Sequence, residues 1–150
     1  MNDEVRSAIR EFLASGKAGS FLITVQASGR PYTTQVSAVP EADFSVRVRT
    51  NGGALKARHV RANPTVGVLF VERKDGPQRN VLIQGMATLS TDPAEIDDFF
   101  ETIARRYGIK IDRTSPRMRD SQIMKIRPSF LRAEGFDPRA FNKVCIEQLG

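Results

Sequence analysis

The chain has 150 residues, 40% apolar and 27% charged, which fits one globular domain over 1–150 and excludes disordered or collagenous classes. No apolar run approaches the roughly 18 residues of a membrane helix, and the single cysteine, Cys145, makes neither an internal disulfide nor a thiolate metal site. The formal charge of +6, from 23 basic and 17 acidic residues, suits an anionic partner: nucleic acid, a membrane surface or a phosphorylated small molecule.

The N-terminus, MNDEVRSAIREF, lacks the basic start and apolar stretch of a secretory signal, so the cytoplasm is the expected location. Residues 2–14 predict a helix with Val5, Ile9 and Phe12 on one stripe. Gly16 and Gly19 end it. Strands are expected at 21–27, 32–39 and 43–50. The first puts Phe21, Ile23 and Val25 on one face; the third alternates Phe44, Val46 and Val48 with Ser45, Arg47 and Arg49. After Asn51-Gly52-Gly53, residues 54–62 read as a short helix closed by Asn63-Pro64.

Strands at Thr65–Val71 and Asn80–Leu89 follow, with a turn at Lys74-Asp75-Gly76-Pro77 between them. Gly85 inside the second strand predicts a bend or a close backbone approach. Asp92-Pro93 with Glu95 forms a capping-box signal for a helix ending at Tyr107-Gly108. A charged loop is expected at 109–120, a strand at 121–127 resuming through Leu131, and a last helix over 138–148 capped by Asp137. Strands joined mostly by tight turns predict a mainly β fold with peripheral helices: a small barrel of about six antiparallel strands.

The densest basic cluster is Arg47, Arg49, Lys56, Arg58, His59 and Arg61, around Thr50-Asn51-Gly52-Gly53. A strand ending in glycines before a lysine-bearing helix suits phosphate: the backbone can approach, and the first helical amides lack partners. Thr50, Asn51, Gly53 and Lys56 are the candidates there. The competing reading is a solvated basic helix after an ordinary turn. Gln35 and Ser37 on one face of the second strand, and Gln84 on the fifth, suit hydrogen bonding to a planar heterocycle, against a reading of ordinary outward polarity. His59 has no ligand-spaced partner for zinc. No Walker, Rossmann or serine-nucleophile pattern is present. Asp97 and Asp98 read as surface charge, and Cys145 as a plain thiol. The strands lack the interleaved aromatics that stack bases, which argues against nucleic acid.

In their order and spacing, five segments carry a family resemblance. They are Phe21–Val25 with Gly29-Arg30-Pro31, Thr34–Val39, Val46–Lys56, Asn63–Val68 and Val81–Ala87. Over roughly residues 8–128 the chain resembles the pyridoxamine 5'-phosphate oxidase-like, FMN-binding split β-barrel family, including its deazaflavin-dependent branch. The resemblance implies a homodimer with the cofactor, FMN or the deazaflavin coenzyme F-420, at the subunit interface. It implies phosphate contacts from Lys56 and Thr50, ring contacts from Gln35, Val36 and Ser37, and Gln84 approaching from the partner. Its implied activity is hydride transfer to or from a small molecule. The chain has no tryptophan and no histidine beyond His59, so it lacks the Trp-Gln-Gly-like and Arg-Leu-His-like segments that hold the vitamin substrate. A non-catalytic flavin carrier or sensor and a nucleic-acid-binding barrel are the other classes weighed.

Overall fold

The computed structural model describes residues 1–76 and 78–150. In chain order its elements are α1 (Asp3–Ala14), β1 (Gly19–Val25), β2 (Pro31–Val36), β3 (Ala38–Pro40), β4 (Val46–Asn51), α2 (Leu55–Ala62), β5 (Thr65–Val71), β6 (Asn80–Ser90), α3 (Pro93–Tyr107), a 3-10 turn (Pro116–Met118), β7 (Ser121–Glu134) and β8 (Val144–Gln148). Pro77 of the expected turn lies outside the described residues. Among those residues, no helix is long and apolar enough to cross a membrane.

All strand pairs are antiparallel, in the order β2-β1-β5-β6-β7-β4-β3, with β8 added to β7. Only Ser37 separates β2 from β3, yet they lie at opposite ends of that order. A flat sheet would hold its outer strands roughly 29 Å apart at about 4.8 Å per step. One residue spans about 3.5 Å. The sheet therefore curls until its ends meet, and the expected barrel is the result. The side chain of Ser20, buried on β1, clasps the joint: its hydroxyl donates to Val36 O at 2.6 Å and accepts from Ala38 N–H at 3.2 Å.

The barrel splits along β7. Ser121–Ile126 pair with β4, and Phe130–Glu134 pair with β8. Between them the β6–β7 register shifts at Gln84/Gly85. A Cβ on Gly85 would lie 2.0 Å from Arg127 O and 3.0 Å from Pro128 Cα, so the close approach predicted at this glycine is present. Inside the barrel, Leu22, Val46, Val48, Val68, Ile83, Met124, Ile126 and Leu131 are buried, and α1 adds Val5, Ile9, Phe12 and Leu13 to the same core. Outside it, α3 packs Phe99, Phe100 and Ile103 on Val39 and Ile123.

Several expectations are corrected. The tail is a strand, not a helix: β4 leaves β7 after Ile126, and the exposed β7 edge takes Val144–Gln148 as its next partner. Asp137 accepts from Arg139 N–H and the Lys143 ammonium in a turn instead of capping a helix. The strand expected over 32–39 breaks at Ser37, and β7 extends to Glu134, so there are eight strands. On β1 the barrel side carries Ser20, Leu22 and Thr24, while Phe21, Ile23 and Val25 face outward, half-buried. Phe44 precedes β4 in a turn at φ 68, its ring buried beneath the Arg10 guanidinium. Asp92 caps α3 through Ala94 N–H as predicted, but Glu95 turns away to Lys125 and leaves the capping box unmade.

Gly85→Ala is expected to destabilise the protein by about 2 kcal/mol or more, because a methyl group there collides with backbone and not with a movable side chain. Urea unfolding measures this; an unchanged midpoint would show that β6 and β7 need no glycine at the bulge.

Candidate functional site

β4 alternates strictly. Val46, Val48 and Thr50 point into the barrel, and Arg47, Arg49 and Asn51 point out. The two outward arginines meet different surroundings. Arg47 pairs with Glu41 and Asp98. Arg49, two residues on, meets only neutral oxygens: Asn51 Oδ1 at 2.9 Å and Ser121 Oγ at 3.3 Å. Burial lowers its guanidinium pKa, and the nearby charge of Arg117 lowers it further. Lys56, in the first turn of α2, is lowered by burial and then by the charge of Arg49. Arg49, Lys56 and Arg117 thus crowd together, and none has a carboxylate partner among the described residues. Proteins normally pair such groups, and a phosphate would do so here.

The three cations line one cavity of about 460 Å³ with Gln35, Val36 and Ser37. Phe99, Ile103, Ile109, Ile111 and Met118 form its apolar wall, and Arg73 lies at its edge. α2 adds to the positive end: no side chain caps it, and Arg58 N–H is the first to bond back, to Ala54 O. A Cβ on Gly52 would lie 2.4 Å from Gln122 Nε2, so the Gln122 side chain packs into the space this glycine leaves, whereas Gly53 is exposed and open on its Cβ side.

Four of the predicted site residues, Gln35, Val36, Ser37 and Lys56, therefore line a common cavity. Asn51 orients Arg49 through its side-chain oxygen. Thr50 is buried, and its hydroxyl donates to Asn51 O at 3.2 Å. Gln84 lines no part of this cavity. It lies on the outer sheet face, in the cross-strand row Ile23–Gly67–Gln84–Phe130. Arg117 and the apolar wall from 109–118 were missed, because a charged loop carries no periodic signal. Arg49 had been grouped with its outward neighbours, and only the absence of a carboxylate near it sets it apart. His59 turns toward the barrel, with Nδ1 2.9 Å from Thr24 Oγ1 and its ring edge-on to Tyr32.

A closed antiparallel barrel with a cation-lined cavity beside its joint is the class of protein that fold and site define. The chain belongs to the pyridoxamine 5'-phosphate oxidase family, whose model matches residues 5–133. No curated protein matches it by sequence. Among solved structures it is similar to General Stress Protein 26 from Bacillus anthracis str. Sterne, at TM-score 0.69 and 19% identity, covering 97% of this chain and 99% of that one. It is also similar to an F420 reductase (TM-score 0.67, 22% identity, 81% and 94% covered). A third is a heme binding protein from Mycobacterium smegmatis (TM-score 0.70, 16% identity, 99% and 59% covered). At these identities the likeness is one of fold.

An anion seated on the cluster should raise the melting temperature, and the effect should depend on pH. The Lys56 pKa is depressed in the fold, so its half-buried charge opposes folding below that pKa, and stability recovers as pH rises through the window up to the ordinary lysine value. Inorganic phosphate is therefore expected to stabilise most on the acidic side of that window, and less as Lys56 loses its proton. Thermal melts with and without phosphate across alkaline pH measure this; a phosphate effect independent of pH would remove Lys56 from the anion site.

Proposed function

We propose that the cavity holds FMN, with its phosphate on Arg49, Lys56 and Arg117, and that the protein is a flavin-dependent oxidoreductase acting on a small molecule. The observation that carries this reading is the unpaired cation cluster opening on the same cavity as Gln35, Val36 and Ser37. The three cations would neutralise the phosphate, assisted by the uncapped first turn of α2. Asn51 and Ser121 hold the Arg49 guanidinium in place, so little is lost in ordering it. Gln35 and Ser37 would offer polar groups to the ring system, and the apolar wall would keep water from it. When bound, FMN supplies the hydride-transfer chemistry itself. No protein acid or base is then needed for that step.

A homodimer completes the proposal. The outward face of the sheet carries the row Gln35–Phe21–Leu69–Leu82–Arg132 beside Ile23–Gly67–Gln84–Phe130. Phe21, Ile23, Leu69, Leu82 and Phe130 are half-buried there. Such a contiguous apolar band suits burial against a second copy. Gln84 would then meet the partner's cofactor, in agreement with its place outside the cavity of its own chain. Leu82→Arg is expected to convert a dimer into a folded monomer in sedimentation analysis; a wild-type protein that sediments as a monomer at micromolar concentration would contradict the dimer.

Deazaflavin is the second reading, favoured by the fold likeness to an F420 reductase. Its long anionic tail calls for an extended basic groove. Arg61, one candidate for that groove, instead donates to Gly52 O at 2.8 Å and fixes the loop. This favours the smaller cofactor. FMN is expected to bind at micromolar levels and more tightly than the deazaflavin, and Lys56→Ala to weaken it by about 1.5–3 kcal/mol, or roughly 10- to 150-fold. Flavin fluorescence titration measures both. Absence of FMN binding would remove the flavin reading, and unchanged affinity in the variant would remove Lys56 from the site. Binding without turnover by any reductant would indicate the carrier, and salt-sensitive binding of generic DNA or RNA would indicate the nucleic-acid barrel.

A further inference from the structure

The joint at Ser37 has a second cavity on its other side. This chamber, about 280 Å³, shares Val36, Ser37, Arg73 and Ile109 with the cation-lined cavity, so the two adjoin. Its lining is mixed: Leu13, Pro40 and Phe70 supply an apolar patch beside the polar groups. Two polar side chains reach it from separate elements: Tyr107, the last residue of α3, and Arg73, just beyond β5.

Both occupy space that glycine leaves open. Gly16 has φ +69, and a Cβ there would lie 2.5 Å from Tyr107 Cδ1. A Cβ on Gly19 would lie 3.0 Å from Arg73 Nε. The connection from α1 to β1 thus seats the tyrosine ring at one end and the guanidinium at the other. Ser20, also in the lining, is already committed to Val36 O and Ala38 N–H. Arg73 is not committed. Its neighbour Glu72 is taken by Lys74 and Arg79, and Arg73 has no ion pair or hydrogen bond among the described residues. A guanidinium fork at the edge of a small chamber with an apolar patch matches a carboxylate. A phosphate dianion is better served by the three cations next door.

We infer that this chamber is the substrate pocket, and that it takes a small organic acid with a compact apolar body and one carboxylate held by Arg73. The role as substrate pocket rests on the flavin reading of the adjoining cavity; the binding of a carboxylate does not.

Calorimetric titration with benzoate, with and without FMN, tests this. Saturable binding is expected in both states, with benzamide at least tenfold weaker than benzoate. Arg73→Gln is expected to weaken benzoate at least tenfold in the absence of FMN, while Lys56→Ala leaves benzoate affinity within twofold. Arg73 is exposed, so its loss does not threaten the fold. Equal binding of benzoate and benzamide, no effect of Arg73→Gln, or a benzoate loss that follows Lys56→Ala would each overturn the inference. If FMN fails to bind while benzoate still depends on Arg73, the flavin reading falls and the carboxylate chamber stands. If FMN binds and benzoate does not, the chamber falls alone.

Discussion

Two strands adjacent in sequence lie at opposite ends of one sheet, and the hydroxyl of Ser20 holds the joint between them. Everything else in the molecule follows from that closure. It brings the two outer strands of the sheet, β2 and β3, together at Ser37. It also places Gln35, Val36 and Ser37 beside the β4–α2 corner, although thirteen residues separate Gln35 from Arg49. Backbone polar groups at a buried joint need partners, and a serine hydroxyl can serve one donor and one acceptor together.

The second governing feature is the unequal treatment of charge along β4. Arg47 and Arg49 point the same way and lie two residues apart. One is enclosed by Glu41 and Asp98; the other meets two neutral oxygens and two further cations. Pairing at Arg47 ties α3 to the barrel. The unpaired cluster at Arg49 opposes folding, so an anion bound there would draw its affinity and its stabilising effect from the same electrostatic imbalance. The chain's net positive charge thus has a local meaning that the total of +6 does not convey.

Much of this was legible in the residues. Period-2 alternation identified the major strands, Asp92-Pro93 marked the start of α3, and Gly85 announced the close approach of β6 to β7. The basic corner was legible because glycines and cations coincide at a strand-to-helix junction. What was not legible was long-range. The break at Ser37 has no turn residue to mark it, and only barrel closure explains it. The last strand forms because β7 outruns β4, which no local pattern in Val144–Gln148 reveals. On β1 the apolar residues Phe21, Ile23 and Val25 lie on the outer face while Ser20 and Thr24 are buried, so alternation could not tell the core from the outer surface. Arg117 could not be found at all, since its importance comes from what surrounds it after folding.

The central claim concerns where a phosphate sits, and a crystal structure of the protein grown with FMN tests it directly. The account predicts the phosphate within hydrogen-bonding distance of Arg49, Lys56 and Arg117, with the ring system beside Gln35, Val36 and Ser37. A phosphate found elsewhere, with those three cations still turned to solvent, would contradict it.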